Sequence, residues 1–259
     1  RLQVVTVPGQ GGNKGAKEAA KAKPDGCTLF AVHQSAITSF LNGRIPFHFN
    51  EFETVAQLTS TPEIVAATKD TPWKTFADMQ KDVLANPETV TVGATFGSTS
   101  QFIWLLLEEK TGMKFKYVPF EGTKERNTAL LTGAIKLGTS NVASGSKYIQ
   151  GGDMKALAIA SVARAKQLPD LPTLKEVGVD MEFALKRGVL APKGTPKDMV
   201  DFWAGVFKKA AENPDLLKQM EAKGTDVDWV GPEGYDKWAK QTFEDFKKVA
   251  IKIGMYKGK

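Results

Sequence analysis

The run Pro8-Gly9-Gln10-Gly11-Gly12-Asn13-Lys14-Gly15 constrains the fold more than any other part of the chain. It follows a β-rich run at 2–7 and precedes an Ala- and Lys-rich stretch at 13–23 with good helix propensity, so it reads as strand, glycine turn, helix. Pro24-Asp25-Gly26-Cys27-Thr28-Leu29 and Gly97-Ser98-Thr99-Ser100 are read as junctions of the same kind, where a predicted strand ends and a helix begins. Backbone amides at such junctions face the mouth of an α/β sheet, a chemistry for holding an anion rather than for breaking one.

The rest of the chain continues the alternation. Strands are predicted at 28–32, ending at His33-Gln34-Ser35, and at 63–68. Thr71-Pro72-Trp73-Lys74-Thr75-Phe76-Ala77-Asp78 then opens a helix with Thr75 and Asp78 at capping-box spacing. A second series places strands at 90–94, 115–118, 134–137 and 156–160, with helices at 101–110 and 123–132. Alternation of this kind predicts parallel sheets covered by helices. After Arg187 the pattern turns helical. Thr195-Pro196-Lys197-Asp198 carries the cap, first-turn proline and first-turn acid of a helix start. Met199, Phe202, Trp203, Val206, Phe207 and Ala210 then form an apolar stripe, and Tyr235, Trp238, Phe246, Val249 and Ile253 mark a final amphipathic helix. Both stripes are read as packing faces rather than a cofactor box.

Composition removes several function classes. The chain has 259 residues and a net charge of +6, with acids and bases interleaved along its length, so no segment offers a dedicated nucleic-acid face. A mild positive field still attracts small carboxylates. One cysteine, Cys27, excludes an internal disulfide and a cysteine-rich metal site, and it reads as a small apolar residue entering a strand. No apolar run is long enough to span a membrane. The chain opens at Arg1 without an initiator Met or signal peptide, and a preceding segment is expected.

Chemistry-bearing residues are few. The glycine run does not match a phosphate-binding loop, and no acid ends the following strand to hold a ribose; that end carries His33 and Gln34. Gly97-Ser98-Thr99-Ser100 offers three hydroxyls and several amides at a helix start, which suits either a carboxylate or plain N-capping. His33 at a strand end could donate to a ligand or serve a neutral structural role. His48, within Phe47-His48-Phe49, is read as a loop or packing histidine. Lys186-Arg187 is a solvated pair unless Arg187 reaches a carboxylate. No nucleophile elbow and no metal-ligand spacing occur, so no catalytic residue, metal or cofactor is assigned.

Several blocks together carry a resemblance. They are Val4-Val5-Thr6-Val7-Pro8-Gly9-Gln10-Gly11-Gly12-Asn13-Lys14-Gly15, Pro24-Asp25-Gly26-Cys27-Thr28-Leu29, Gly97-Ser98-Thr99-Ser100 and Val118-Pro119-Phe120-Glu121-Gly122. The two most specific are Leu168-Pro169-Asp170-Leu171-Pro172-Thr173-Leu174-Lys175-Glu176-Val177-Gly178 and Leu190-Ala191-Pro192-Lys193-Gly194-Thr195-Pro196. Over essentially its whole length the chain resembles the extracytoplasmic solute-binding receptors of tripartite tricarboxylate transporters, the Bug family. The resemblance implies an α/β, two-lobed periplasmic-binding-protein clamp of type II (Venus-flytrap). Residues 1–64 and 189–259 would form one lobe and 65–188 the other. It also implies a carboxylate held between lobes by amides and hydroxyls at two strand-to-helix turns, with lobe closure as the mechanism. One such turn matches Gly97 to Ser100; the other belongs to a strand and helix expected to precede Arg1.

Departures from the family pattern bear on the ligand. Phe120-Glu121 stands where Tyr-Lys is common, Ser140-Asn141 where Asp-Asn is common, and Phe96 where small or amide residues are common. A cleft lined by Phe96, Phe120, Ser140 and Asn141 suits an organic acid with an apolar body better than an amino acid, whose ammonium group wants an acid. The expectation is therefore a periplasmic, monomeric receptor that binds a small organic carboxylate, partners a two-component membrane permease, and binds no nucleic acid. Two other classes are compatible with this architecture. They are the effector domain of a LysR-type regulator, which would bring a helix-turn-helix, and a transferase-type enzyme on the same fold.

Overall fold

A computed structural model describes residues 2–256 of the chain. The described residues divide into two compact units, the first made of 2–60, 186–220 and 226–256, the second of 61–185 and 221–225.

The first unit opens with a 3-10 turn, Gln10–Gly12, and helix α1, Asn13–Ala20. Strand β1, Phe30–His33, lies antiparallel to β7, Ala184–Pro192, with Phe30 opposite Leu190 and His33 opposite Arg187. The first part of the long strand β2, Phe52–Thr68, follows β7 in the sheet, and β8, Asp226–Val230, pairs antiparallel with it. Helix α7, Lys197–Ala211, packs on this sheet through Val200 and Ala204 against Val55, Val189 and Ala191. Trp203 and Phe207 flank that contact. The stripe read from sequence is thus rotated by part of a turn. Phe202 is 58% exposed, and the face turned to the sheet carries buried Val200 and Ala204 with partly buried Trp203 and Phe207. Thr195 does not cap α7; its hydroxyl donates to the Pro192 carbonyl at 2.7 Å, and Pro196 occupies the cap position.

The Pro24-Asp25-Gly26 turn has a structural role. The Asp25 carboxylate accepts the Cys27 amide at 2.9 Å, and the Gly26 carbonyl accepts the Trp203 indole at 2.8 Å. It joins a helix to a strand, the reverse of the junction expected, and Cys27 is exposed rather than drawn into β1. Helix α9, Pro232–Lys252, buries Tyr235, Ala239, Phe246, Val249 and Ala250, while Ile253 is exposed. His48 stacks on Phe243 with ring centroids 4.3 Å apart, confirming a packing histidine. Residues 2–7, expected as a strand, adopt no regular structure, and Leu2, Val4 and Val5 are exposed. β-propensity makes a strand only where a neighbour supplies the ladder, and none runs beside them among the described residues.

In the second unit, β3 (Thr91–Ala94) is parallel to β4 (Lys116–Pro119) on one side and to β5 (Leu137–Asn141) on the other. β5 and β6, Met154–Ile159, each pair antiparallel with the second part of β2. The sheet is therefore mixed, not parallel as expected. The βαβ units set the direction of β3 to β5, whereas β2 runs in from the other unit and carries its own direction. The helices are α3 (Phe76–Ala85), α4 (Thr99–Thr111), α5 (Thr123–Leu131) and α6 (Val142–Gln150). The Thr75/Asp78 capping box is formed, with the Thr75 hydroxyl accepting the Asp78 amide at 3.1 Å and the carboxylate accepting the Thr75 amide at 2.9 Å. The core gathers Ile64, Ala66, Leu130, Ile135, Val142 and Ile159, closed by Leu168 and Leu171. The specific 168–178 block has a local cause. Thr173 and Glu176 cap each other's amides, and Glu176 also takes both contacts from the Arg164 Nε, so its carboxyl falls to about 2.

Gly188 in β7 packs where a side chain has no room: a Cβ there would lie 2.5 Å from the Ala56 carbonyl and 2.5 Å from the Tyr235 ring. Gly188→Ala is expected to cost about 1–3 kcal/mol of stability, read from denaturant midpoints. A loss under a few tenths of a kcal/mol would show that both Tyr235 and the Ala56 backbone give way freely.

Candidate functional site

The residues singled out from sequence fall into two groups, one in each unit. In the first unit β1 ends at His33, and helix α2, Ser35–Leu41, begins two residues later. The Ser35 amide donates to His33 Nδ1 at 3.2 Å, which fixes the tautomer with the proton on Nε2 and leaves that nitrogen as a donor. Burial, then the Arg187 charge, lowers the His33 pKa to about 4, so the ring is neutral near pH 7. Gln34 is buried, and its side-chain oxygen accepts the Lys186 amide at 3.1 Å. The Lys186 ammonium sits 3.5 Å from Asp228, whose carboxylate also accepts Gln57 Nε2 at 2.7 Å. Register places Arg187 directly opposite His33.

The second group lies at the carboxyl edge of the parallel strands. Because β3 is parallel to both β4 and β5, all three strands end on one edge, and each feeds a helix there: α4, α5 and α6. That gathers three helix N-termini, each carrying unpaired amides and about half a positive charge.

The turn between β3 and α4 is tightly built. Gly97 adopts φ +70°, a left-handed conformation that favours glycine, and its amide donates to Gln101 Oε1 at 2.7 Å. The Ser98 hydroxyl donates to the Thr95 carbonyl at 2.7 Å and accepts the Ser100 amide at 3.3 Å as N-cap. The Ser100 hydroxyl accepts the Thr95 amide at 3.0 Å and lies 2.9 Å from Ser98 Oγ. Two of the three hydroxyls thus brace the turn itself. Thr99, nearly buried at the first helical position, has no protein partner for its amide or hydroxyl among the described residues.

The neighbouring candidates divide in the same way. Asn141 caps α6, its side-chain oxygen accepting the Ser144 amide and hydroxyl at 3.0 Å each. Ser140 is fully buried on the opposite face of β5, its hydroxyl 3.3 Å from that of Ser144. Phe120 packs over Gly93, where a Cβ would come within 3.0 Å of its ring. Phe96 is 40% exposed and stands edge-on to Tyr117 at 6.3 Å. Sequence reasoning missed two residues at this edge, Arg126 and Glu63, each 4% exposed. The Arg126 guanidinium donates from Nη1 to Thr95 Oγ1 at 3.3 Å and from Nη2 to Thr123 Oγ1 at 3.1 Å and Thr139 Oγ1 at 3.5 Å. The burial of a charge leaves no pattern in one sequence, either for Arg126 on a largely polar helix or for Glu63 on a strand, which is why neither stood out. No group of His, Cys, Asp and Glu that could hold a metal occurs among the described residues.

Residues 3–255 match the tripartite tricarboxylate transporter family receptor. The chain belongs to that family. A UPF0065 protein of Agrobacterium vitis, from the ttuE–ttuC′ intergenic region, is 31% identical over 98% of this chain and 75% of its own length. Among solved structures, the periplasmic binding protein BugD aligns with TM-score 0.82 and 26% identity over 96% of this chain and 85% of its own. MatC of Rhodopseudomonas palustris, solved with bound malate, aligns with TM-score 0.81 and 26% identity over 93% and 85%. The receptor therefore has the two-lobed type II fold of periplasmic binding proteins. No helix among its described residues is long and apolar enough to cross a membrane.

Two outcomes follow for the receptor. Ser98→Ala removes the brace of the turn and is expected to lower ligand-free stability by about 1–2 kcal/mol in thermal or urea unfolding; an unchanged midpoint would mean that water replaces the hydroxyl at no cost. His33 and His48 are both held near pKa 4, against 6.5 unfolded, in each case by burial first. The unfolded chain then binds more protons below pH 6.5, so the stability these rings contribute is complete above 6.5 and is lost as pH falls towards 4. Urea midpoints should fall between pH 6.5 and 4, and the His33→Gln/His48→Phe double variant should flatten that slope.

Proposed function

We propose that this receptor captures a small organic carboxylate in the periplasm and hands it to a two-component membrane permease, as a monomer and without catalysis. The observation that carries the reading is the gathering of three helix starts on one edge of the second unit, where the Thr99 amide and hydroxyl have no protein partner. A carboxylate satisfies such donors through charge-assisted hydrogen bonds without a formal countercharge. Family membership and the malate-bound MatC support the same ligand chemistry.

On this reading the two compact units serve as the two lobes of the clamp. Thr99, Gly97, Ser98, Ser100 and Asn141 supply or position donors in the second unit, with Phe96 and Phe120 as its apolar surfaces. His33, through Nε2–H, and Arg187 supply donors in the first, with Gln34 and Ser35 holding the strand end that bears them. Ser140 acts only through Ser144, whose amide and hydroxyl donate to Asn141. Phe96 offers exposed ring surface next to the Gly97–Ser100 turn, so the favoured ligand is an acid with an apolar body.

Calorimetric titration with malate, C4 to C8 mono- and dicarboxylates, and free amino acids tests this. Saturable binding of at least one carboxylate is expected, with apolar-bodied acids above malate and amino acids. For the acid that binds, Thr99→Val is expected to weaken affinity by about 1.5–3 kcal/mol through loss of one hydrogen bond to a charged group. Silence across the carboxylates would overturn the reading, and an unchanged Thr99→Val would remove that residue from the site.

A further inference from the structure

Arg126 sits where a cation is least expected. It lies in the first turn of α5, the positive end of that helix, beneath the turn that starts α4, and it is almost fully buried. Its three hydroxyl contacts are neutral, and its Nε has no hydrogen-bond partner. Glu63 is its buried countercharge: β2 places Glu63 opposite Asn141, so its side chain rises on the face of β5 that also bears Thr139, to which Arg126 donates. Burial lowers the Arg126 pKa and the Glu63 charge opposes that shift. The Arg126 guanidinium adds a buried positive charge to this edge, and its Nε donor is still open.

Resting on the carboxylate-receptor reading, we propose that Arg126 is a specificity-determining residue of this site, supplying the buried positive charge that makes the Thr95–Ser100 turn select an anion, with Glu63 setting the strength of that charge. Its contact to Thr95 Oγ1 joins the guanidinium to the turn whose carbonyl and amide anchor Ser98 and Ser100.

The test uses the carboxylates named above and compares Arg126→Met, Arg126→Lys and Glu63→Gln with the parent by calorimetry, with unfolding midpoints measured alongside. A charge role gives opposite signs. For the acid that binds the parent, Arg126→Met should weaken affinity about tenfold or more and Arg126→Lys less. Glu63→Gln should tighten it about two- to tenfold even as the ligand-free midpoint falls. A purely structural tie between strand ends predicts that both changes weaken binding, or that neither alters it, and either result overturns the inference while the receptor reading stands. Should Arg126→Met fail to fold, the sign of the Glu63→Gln effect decides: tightening supports the inference, and weakening or no change overturns it. A parent that binds no carboxylate overturns the receptor reading and this inference with it.

Discussion

Backbone amides that a helix cannot satisfy for itself govern the second unit. Each helix start leaves donors without acceptors, and parallel pairing of β3 with β4 and β5 brings the starts of α4, α5 and α6 to a single edge. The protein answers part of that demand itself. Ser98 caps α4 and Asn141 caps α6, while Gly122 begins α5 with no side-chain cap at all. What remains open is an anion-shaped need, concentrated where strand ends converge.

That demand changes how the hydroxyls of the serine-rich turn are understood. A row of Ser, Thr and Ser suggests three equal ligand contacts. The structure gives them unequal roles, because Ser98 and Ser100 exchange bonds with the Thr95 backbone and with each other, which leaves Thr99 as the open donor. In the proposed site, capping and ligand binding are successive uses of one turn: the cap makes it rigid, and rigidity fixes the direction of the remaining donors. Arg126 extends the same logic below the surface, since a buried cation costs least where an anion is about to arrive.

The first unit follows a different rule. Its sheet is antiparallel at β1–β7 and β2–β8, so its polar cluster comes from facing residues rather than from converging helix starts. His33 and Arg187 are neighbours by register, and Gln34 and Lys186 follow from that pairing. Their separation in sequence hides the relation completely.

Much was legible in the chain alone. The turn at Gly97, the Thr75/Asp78 box and the apolar runs of β3, β4 and β6 are local, so their energetics are written in neighbouring residues. The serine-rich turn was visible for the same reason, and the motif blocks pointed to the family. What tertiary structure decided was non-local. The unpaired state of 2–7, the extension of β2 back to Phe52, the strand β7, the rotated stripe of α7 and the mixed sheet all depend on which segments lie side by side. So do Arg126 and Glu63, because the burial of a charge and the partner that makes it tolerable belong to the packed molecule and leave no pattern at the spacing of a helix or strand.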